Sequence, residues 1–433
     1  MSRWIRIGSG PRAGLSVPTV PVLAAACLLA TACGTSTGTS SAGSTSPKQV
    51  LIGAPLSLTG VGAGFGVPQL HAAQAEVAAI NAAGGIKDLG GAKLKLDVAD
   101  DQSNPTVAET LLRQMAAQGA SAFIGPVLSS VLTPDVPVIQ ELKVPLFTPA
   151  AGDAITDHNS GYIFRSIERA SGFADSMAGY LKSLQATAHA PITRMAIVDV
   201  SLEPGPSVAS AFEAAAKTDG WHTQIDTYDE TTADFSPLVS KIASDNPQVV
   251  VGYQDPNDAV LFAKAVVQQK WRPHDGFGWI FGGQDLNSFK ASLGPSVNGW
   301  LDAAYTAGLD SSAYPASVQA IAKKYMSQYN VPLNGNQGSL AAIVGLVADA
   351  VSAAHSTNPQ KVAAAARELT FTSASGSVYP FPQSGGVKFD ASQDNVGFIP
   401  PIIQLEGSAS EPAQVVVSPP ALATGKVDWP AGS

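Results

Sequence analysis

Short runs of β-branched and apolar residues alternate with amphipathic segments from Gln49 onward, and this alternation limits the fold more than any other feature of the sequence. The first run covers 50–56, and apolar residues then recur at helical spacing from Leu70 to Ile80. Strands separated by helices predict parallel sheets with helices on both faces. Because the runs outnumber the strands of one ordinary sheet, we predict an α/β protein with two doubly wound, Rossmann-like lobes.

A glycine-rich stretch at 58–68 (LTGVGAGFGVP) joins the first strand to the first helical pattern, which we place from Gln69 on. No register of its glycines gives the Gly-x-Gly-x-x-Gly of a dinucleotide site, and no Gly-Lys-Ser/Thr follows, as a phosphate-binding loop requires. The stretch therefore predicts a loop whose bare backbone lies close to some other small ligand. Its one large side chain, Phe65, fits a lid over that ligand and equally an aromatic packed on its own loop.

The N-terminal segment carries three arginines and no acid, then an apolar run over 17–29 and small residues before Cys33. This order is typical of a secretory signal peptide, which we assign to residues 1–32. Cys33, followed by small polar residues, resembles the lipid attachment site of a bacterial lipoprotein; Cys27 is a second candidate, and an ordinary cleaved signal is the alternative. Residues 33–48 predict a flexible tether. We therefore expect an extracytoplasmic protein that is lipid-anchored to the outer face of the cell membrane.

The net charge argues against a nucleic-acid partner, and the positions of the cysteines argue against a disulfide in the mature chain. Three of the 25 Lys and Arg residues lie in the signal segment, which leaves 22 against 34 Asp and Glu, a net charge of −12. Such a surface repels nucleic acid, so we expect no nucleic-acid partner. Both cysteines lie within the first 33 residues, so the rest of the chain forms no disulfide, even in a compartment that permits one.

The pattern of potential ligands predicts no metal site and no cofactor. The adjacent acids Asp100 and Asp101 lack a third carboxylate or histidine at ligand spacing, which favours solvated loop acids. The segment Asp390-x-Ser-x-Asp394 lacks the glycine and the terminal glutamate of a calcium loop. The histidines lie far apart, without the spacing of a zinc site; they are His71, His158, His189, His222, His274 and His355.

Three loops at the carboxyl ends of predicted strands form the candidate ligand site, since open α/β sheets bind ligands at that edge. They are the glycine-rich stretch and the segments 125–130 and 148–153, which each follow a strand. Ser129 and Ser130 open a predicted helix, where hydroxyl and backbone N–H groups suit a carboxylate. The alternative is that these serines only cap that helix.

Several ordered segments together resemble the leucine/isoleucine/valine-type periplasmic solute-binding proteins of ABC importers, which have the type I periplasmic-binding-protein fold. The resemblance spans about residues 49–405 and rests on the order of many segments rather than on any one of them. The segments are PLSLTG at 55–60, INAAGGI at 80–86, VADD at 98–101 with NP at 104–105, IGPVLSS at 124–130, VPLFTPAA at 144–151, FSPLVSKI at 235–242 and VKFD at 387–390.

The resemblance implies two lobes, joined by three hinge crossings, that close on a small solute. The N-terminal lobe would comprise residues 49–167 and 304–372, and the C-terminal lobe residues 168–303 and 373–405. Residues 406–433, rich in Pro, Ser, Ala and Val without a period, would form a surface strap or a disordered tail.

In the N-terminal lobe, the resemblance places the carboxylate of the solute on Ser129. The next loop of the family corresponds to Ala150, Ala151 and Gly152, and the aromatic of its glycine loop corresponds to Phe65. The family's amino-acid binders carry a threonine where Gly152 stands, so one hydroxyl toward the solute is missing.

In the C-terminal lobe, the family's aromatic corresponds to Tyr253, although the spacing also allows Gln254. The acid that holds the ammonium group in the amino-acid binders corresponds to Gln284, and Asp285 replaces it only if the loop is shifted by one residue. A neutral amide cannot make the charge-assisted hydrogen bond that a buried ammonium group requires. Glu203 stands in the loop where the family usually has a tyrosine.

We therefore expect a non-enzymatic solute-binding lipoprotein that captures a small amino acid, or a related carboxylate or amide, for the permease of an ABC importer. Among the candidate solutes we rank branched-chain amino acids first and short amides and aromatic acids next. The sequence does not identify the solute. A ligand-sensing module of the same fold, acting on a signalling partner, is the alternative. A hydrolase using Ser129 or Ser130 with a distant histidine is a remote alternative, because no base lies near either serine in sequence.

Overall fold

The computed structural model describes residues 47–157, 161–281, 283–284, 287–305, 314, 316–330, 333, 335–372, 386–395 and 397–430. The predicted signal peptide, Cys33 and most of the tether lie outside these residues, as does Asp285. Residues Ser46–Ser433 form one compact unit, which contains two large sheets and a short strand pair.

Five parallel strands form the first sheet: β1 (Gln49–Leu56), β2 (Lys93–Asp100), β3 (Ala122–Ile124), β4 (Leu146–Thr148) and β5 (Ile163–Arg165). The helices between them are α1 (Ala63–Ala82), α2 (Pro105–Ala117) and α3 (Ser129–Leu142). The strand order is β2-β1-β3-β4-β5, so the order reverses between β1 and β3. Open α/β sheets bind ligands at such a switch point, beyond the carboxyl ends of the strands.

The second sheet follows a first crossing through residues 166–169, which leads into helix α4 (Ala170–Ala188). Its parallel strands are β6 (Arg194–Val200), β7 (His222–Tyr228), β8 (Val249–Tyr253), β9 (Gly276–Ile280) and β10 (Leu301–Ala303). The connecting helices are α5 (Gly205–Asp219), α6 (Ser236–Ser244), α7 (Pro256–Gln268) and α8 (Asn287–Leu293). Strands β8 and β9 are buried at every position, as strands covered by helices on both faces must be.

Three further helices bring the chain back to the first sheet: α9 (Ala316–Tyr329), α10 (Gly335–Ala354) and α11 (Pro359–Glu368). Helix α10 packs along α1 and against β3 and β4. The segment Gln337–Ala354 is long and apolar enough to cross a membrane, but 78% of it is buried inside the protein. It is therefore a core helix of the first lobe.

Residues 386–395 pack on the first sheet, so their expected place in the C-terminal lobe is wrong. The short strands β11 (Thr370–Phe371) and β12 (Val387–Lys388) pair with each other. Phe389 then meets Phe147 and Phe164 edge-on, with ring centres 6.2 and 5.1 Å apart. Burial of these aromatic rings against one another is favourable, and it holds the segment on β4 and β5. The third crossing therefore lies after Asn395.

The C-terminal tail, expected to be a strap or disordered from residue 406, forms part of the second sheet instead. Strand β13 (Ile402–Gly407) pairs antiparallel with β10, and β14 (Pro412–Ser418) pairs antiparallel with β13. The sheet order is therefore β14-β13-β10-β9-β8-β6-β7. The valines at 415–417 supply the β-branched residues that strands favour. Gln404 also exchanges hydrogen bonds of 2.7 and 2.8 Å with the backbone of Asp428, which ties the end of the chain to the sheet.

The glycine-rich stretch forms the first turns of helix α1, which begins at Ala63 and not after Pro68 as expected. Its glycines let the helix lie against the end of strand β1. A Cβ atom on Gly66 would lie 2.1 Å from the carbonyl oxygen of Ser57. No side chain fits at such a distance, so glycine is required here for the close approach of two backbone segments.

The acids Asp100 and Asp101, expected to be solvated, hold the loop that enters this helix. Asp100 accepts hydrogen bonds from the N–H groups of Leu58 and Thr59 and from the Thr59 hydroxyl, at 3.0, 3.1 and 2.7 Å. Asp101 is buried and accepts the N–H of Ser103 at 2.8 Å. Among the described residues, no group of three or more His, Cys, Asp or Glu side chains is placed to hold a metal ion.

We expect Gly66→Ala to lower the free energy of unfolding by about 1–3 kcal/mol, because the added methyl group must push helix α1 away from Ser57. Chemical denaturation followed by circular dichroism measures this loss. Gly179→Ala is the matched control, because a Cβ atom there meets nothing within 4 Å and alanine favours a helix by about 0.5–1 kcal/mol. A Gly66→Ala protein as stable as the wild type would contradict the role assigned to this glycine.

Candidate functional site

The carboxyl edges of the two sheets meet, and the candidate site lies at this junction. A Cβ atom built on Gly64, at the start of α1, would lie 2.9 Å from the Cβ of Pro256, at the start of α7. At a second contact, a Cβ atom on Gly152 would lie 3.6 Å from the Cβ of Glu203. The segments that follow β1 and β4 therefore touch those that follow β8 and β6.

Ser129, the predicted carboxylate anchor, is the first residue of α3 and is 5% exposed. Its hydroxyl oxygen accepts a hydrogen bond of 2.9 Å from the N–H of Gly152, and no side chain caps the helix. The alternative that Ser129 and Ser130 only cap α3 is therefore wrong. A hydroxyl that accepts one hydrogen bond keeps its own O–H to donate, so Ser129 can offer a proton to a ligand oxygen. Ser130 follows in the same turn and is partly exposed.

The predicted loop at 150–152 approaches Ser129 so closely that its last residue must be glycine. A Cβ atom on Gly152 would lie 2.9 Å from the Cβ of Ser129 and 3.2 Å from its Oγ. The threonine of the family's amino-acid binders could not stand here without displacing Ser129. Ala150 and Ala151 are each 1% exposed, and their side chains belong to the hydrophobic cores on the two faces of the first sheet. These alanines therefore fix the loop to both cores.

Phe65 is buried, at 5% exposure, in a small cluster with Ala108, Leu128 and Val131. It packs on α2, on the start of α3 and on Val61 of its own stretch, so it is a buried aromatic and not a surface one. Since Leu128 immediately precedes Ser129, the Phe65 ring supports the turn that carries the predicted carboxylate anchor. Its contact with a solute stays a prediction.

A buried arginine that no sequence motif marks holds the same loop. Arg165, at the end of β5, is fully buried, and its guanidinium donates to the carbonyl oxygens of Ala151 and, at 2.8 Å, of Gly152. It also pairs with Asp394 at 2.7 Å, and Asp394 pairs with Arg169 at 2.6 Å. Arg169 belongs to the first crossing and Asp394 precedes the third, so these bonds join the loop to two crossings.

One feature of the sequence points to this ion-pair network: the segment Asp390-x-Ser-x-Asp394, which resembles an incomplete calcium loop. In the structure Asp390 accepts the N–H groups of Ser392 and Asp394, at 2.8 and 3.0 Å, and so closes a backbone turn. Although burial acts to raise it, the charges of Arg165 and Arg169 hold the pKa of Asp394 below its ordinary value. The segment therefore supplies a carboxylate that pairs with arginine rather than a ligand for a metal.

Tyr253, the predicted aromatic contact, ends β8 and is 3% exposed, with its ring centre 5.4 Å from that of Phe281. Its hydroxyl donates to Asp255 at 2.5 Å, and its N–H donates to Asp199 at 2.6 Å. Burial raises the pKa of Asp255 to about 6 and raises that of Asp199 well above its ordinary value. The donor groups of Tyr253 are thus already used within the protein.

Gln284 is fully buried, and its amide donates a hydrogen bond of 3.1 Å to the carbonyl oxygen of the Gln254 side chain. Gln254, which the spacing allowed in place of Tyr253, is therefore the residue that the structure brings to Gln284. Asp285, the alternative acid, lies outside the described residues. The structure thus joins Ser129 with Gly152 at one edge of the junction and Gln254 with Gln284 at the other.

The fold agrees with that of known proteins. A sequence model of the family described as periplasmic binding protein matches residues 49–391. This chain belongs to that family. The Leu/Ile/Val-binding protein homolog 3 of Brucella melitensis is 29% identical over 328 residues, which cover 73% of this chain and 82% of that protein. Homolog 1 of the same organism is 27% identical over 324 residues, with coverage of 74% and 82%.

Solved structures of periplasmic binding proteins share the type I fold with this chain. A branched-chain amino acid transporter substrate-binding protein from Streptococcus pneumoniae, in complex with isoleucine, has a TM-score of 0.71 at 19% identity and covers 86% of this chain and 100% of its own. An ABC transporter solute-binding protein from R. palustris, in complex with benzoate, has a TM-score of 0.71 at 19% identity, with coverage of 89% and 99%. At these identities the likeness shows the fold.

We expect Arg165→Met to lower the free energy of unfolding by about 3–5 kcal/mol, because the loop carbonyls lose their donor and the buried ion pair is broken. Urea denaturation measures the loss. Arg169→Met should cost less, because its side chain is 29% exposed, and Arg113→Met removes a surface ion pair and should change stability by less than about 1 kcal/mol. Equal losses for Arg165→Met and Arg113→Met would contradict the assigned role.

Proposed function

We propose that this protein captures a small carboxylate-bearing solute, an amino acid or a related amide or aromatic acid, and delivers it to an ABC importer. The observation that carries the proposal is the buried hydroxyl of Ser129, which the N–H of Gly152 orients and which has its own O–H to donate. The first N–H groups of a helix have no partner within the helix and attract anions, which favours a carboxylate at the start of α3.

The comparisons support the same class of solute. The relatives in Brucella carry the name of Leu/Ile/Val-binding proteins. The neighbour from Streptococcus pneumoniae holds isoleucine, and the neighbour from R. palustris holds benzoate. A carboxylate is the group that isoleucine and benzoate have in common, whereas only isoleucine has an ammonium group.

The proposed solute contacts come from both lobes. A solute that touches both lobes binds the closed form more tightly than the open form, so it shifts the population toward closure. Capture of this kind needs no catalytic group and no cofactor. The proposed contacts are Phe65, Ser129, Ser130, Ala150, Ala151 and Gly152 from the N-terminal lobe and Tyr253, Gln284 and Asp285 from the C-terminal lobe.

The serine hydrolase alternative is not favoured. A catalytic serine needs a base that accepts its proton, whereas the hydrogen-bond partner of Ser129 is the N–H of Gly152, which is a donor. The sensing alternative shares the binding step and differs in the partner that follows it. The names of the relatives and neighbours favour transport.

We also propose that residues 1–32 are a signal peptide, that Cys33 carries a lipid and that residues 33–48 tether the binding lobes to the outer face of the membrane. The basis is the order of basic, apolar and small residues before Cys33 and the small polar residues after it. An anchored binding protein stays close to its importer, which keeps the captured solute near the permease.

We expect Ser129→Ala to weaken binding of the preferred carboxylate by about 1–3 kcal/mol, because a hydrogen bond to a charged group is lost. Thermal-shift screening of amino acids, amides and aromatic acids identifies that solute, since a solute that binds only the folded state raises the melting temperature. Isothermal titration calorimetry then gives the dissociation constants. Ser327→Ala, on an exposed position of α9, is the control. A dissociation constant unchanged by Ser129→Ala would mean that the anchor lies elsewhere.

We expect Cys33→Ser to release the protein from the membrane fraction, because the lipid attachment site is removed. Fractionation of the producing cells, followed by immunoblotting, measures the distribution. Cys27→Ser is the matched control and should leave the protein with the membrane. Retention of the Cys33→Ser protein would refute the anchor at this position.

A further inference from the structure

The side-chain amides of Gln254 and Gln284 form an amide pair at the carboxyl edge of the second sheet. Gln254 directly follows β8, Gln284 follows β9, and both side chains are fully buried. One hydrogen bond of 3.1 Å joins Nε2 of Gln284 to Oε1 of Gln254. The other two polar atoms, Nε2 of Gln254 and Oε1 of Gln284, are buried and have no hydrogen-bond partner in the described part of the chain.

Two unpartnered amide atoms at one place are costly for a structural core, because a buried polar group without a hydrogen bond loses the hydration it had in water. Gln404 shows what a structural glutamine looks like in this protein. It is also fully buried, but its amide donates to the carbonyl oxygens of Gly299 and Asp428, and its oxygen accepts the N–H of Asp428. The amide pair differs because it keeps one donor and one acceptor free.

The amide pair lies at the edge of the sheet where the lobes meet. Pro256 lies two positions after Gln254 and contacts the start of α1, and Gly283, immediately before Gln284, also packs against Pro256. If both amides are turned over, the pair still keeps one N–H group and one carbonyl free, since the same bond forms in the opposite sense. The pair therefore offers a donor and an acceptor in either orientation.

Three acids in the described part of the second lobe already accept hydrogen bonds from other groups. The carboxylate of Asp255 accepts the Tyr253 hydroxyl, and Asp199 accepts the Tyr253 N–H. Glu203, which follows β6 and lies beside Gly152 of the first lobe, accepts a hydrogen bond of 2.8 Å from the hydroxyl of Ser207. The amide pair itself is neutral, so an ammonium ion placed against it would lose hydration and gain no opposite charge from these two side chains.

We propose that the amide pair binds a neutral group that both donates and accepts hydrogen bonds, such as a carboxamide, so that the solute carries a carboxylate at one end and this neutral group at the other. This inference rests on the proposed function, which supplies the carboxylate end at Ser129. Gln254 and Gln284 are then the specificity-determining residues of the second lobe. They select against solutes that present a methyl or an ammonium group at this position. A methyl group leaves both amide atoms unpaired, and an ammonium group, which cannot accept a hydrogen bond, leaves Nε2 of Gln254 unpaired.

The test is a titration of matched carboxylates by isothermal titration calorimetry. One series is succinamate, γ-aminobutyrate and pentanoate, and the next is glutaramate, δ-aminovalerate and hexanoate, ending in turn in a carboxamide, an ammonium and a methyl group. We expect one carboxamide to bind the wild type about tenfold more tightly, or better, than its ammonium and methyl counterparts. Gln284→Glu should reverse the preference toward the ammonium, because the new carboxylate supplies the missing charge, and Gln269→Glu on the surface should not.

A second variant separates binding from structure. In Gln254→Met/Gln284→Met both amides are replaced by apolar side chains of similar shape, so the unpartnered atoms disappear together. We expect the melting temperature without solute to stay the same or rise while the carboxamide preference is lost. A fall in melting temperature together with an unchanged preference would identify the pair as structural and overturn the inference.

The remaining outcomes separate this inference from the proposed function. If amino acids bind the wild type, and bind Ser129→Ala more weakly, while both carboxamides bind no better than their ammonium counterparts, the inference is wrong and the proposed function stands. Both the inference and the proposed function are wrong if the wild type binds no carboxylate, either from the matched series or from the screen of amino acids, amides and aromatic acids.

Discussion

The buried guanidinium of Arg165 is the interaction on which the candidate site depends. Moving a charge from water into a protein interior costs several kcal/mol unless an opposite charge and hydrogen bonds replace the lost hydration. Here the replacements come from separate segments: the carbonyl oxygens at 151–152, the hydroxyl of Thr156 and the carboxylate of Asp394. If any of these segments moved away, the buried guanidinium would lose a hydrogen bond or its opposite charge. The predicted solute loop and the neighbouring crossings are therefore held together as one unit.

Both lobes are attached to the same loop at 150–152. The N–H of Ala170 donates to the carbonyl oxygen of Ala151 at 2.8 Å, so α4, the first helix of the second lobe, begins on the same loop. Arg169 in the first crossing and Asp394 before the third then share one ion pair. In the proposed closure, these bonds would hold the geometry of the predicted solute loop while the lobes rotate.

The parts of the structure that the sequence predicted are those with a local signal. The apolar run at 50–56 corresponds to strand β1 because its pattern needs no distant partner. The start of α1 was misplaced, since packing of Gly66 against Ser57 outweighs the helix-propensity cost of glycine, about 1 kcal/mol. In the site, Ser129 was predictable as a serine after a strand, but the network of Arg165 was not, because its acid lies 229 positions away in the chain. The same holds for the amide pair, whose members meet only once β8 and β9 are aligned.

The charges around the junction follow from the same burial that stabilises the fold. Burial raises the pKa of Asp258 to about 7. Asp255, with its raised pKa, is further occupied by the hydroxyl of Tyr253. The raised pKa of Asp258 weakens the negative field of the second lobe, whereas the start of α3 and the hydroxyl of Ser129 favour negative charge in the first. In the proposed complex each lobe binds a different end of the solute, and neither lobe can bind both ends alone. The contacts proposed to give specificity are therefore the same contacts that would draw the lobes together.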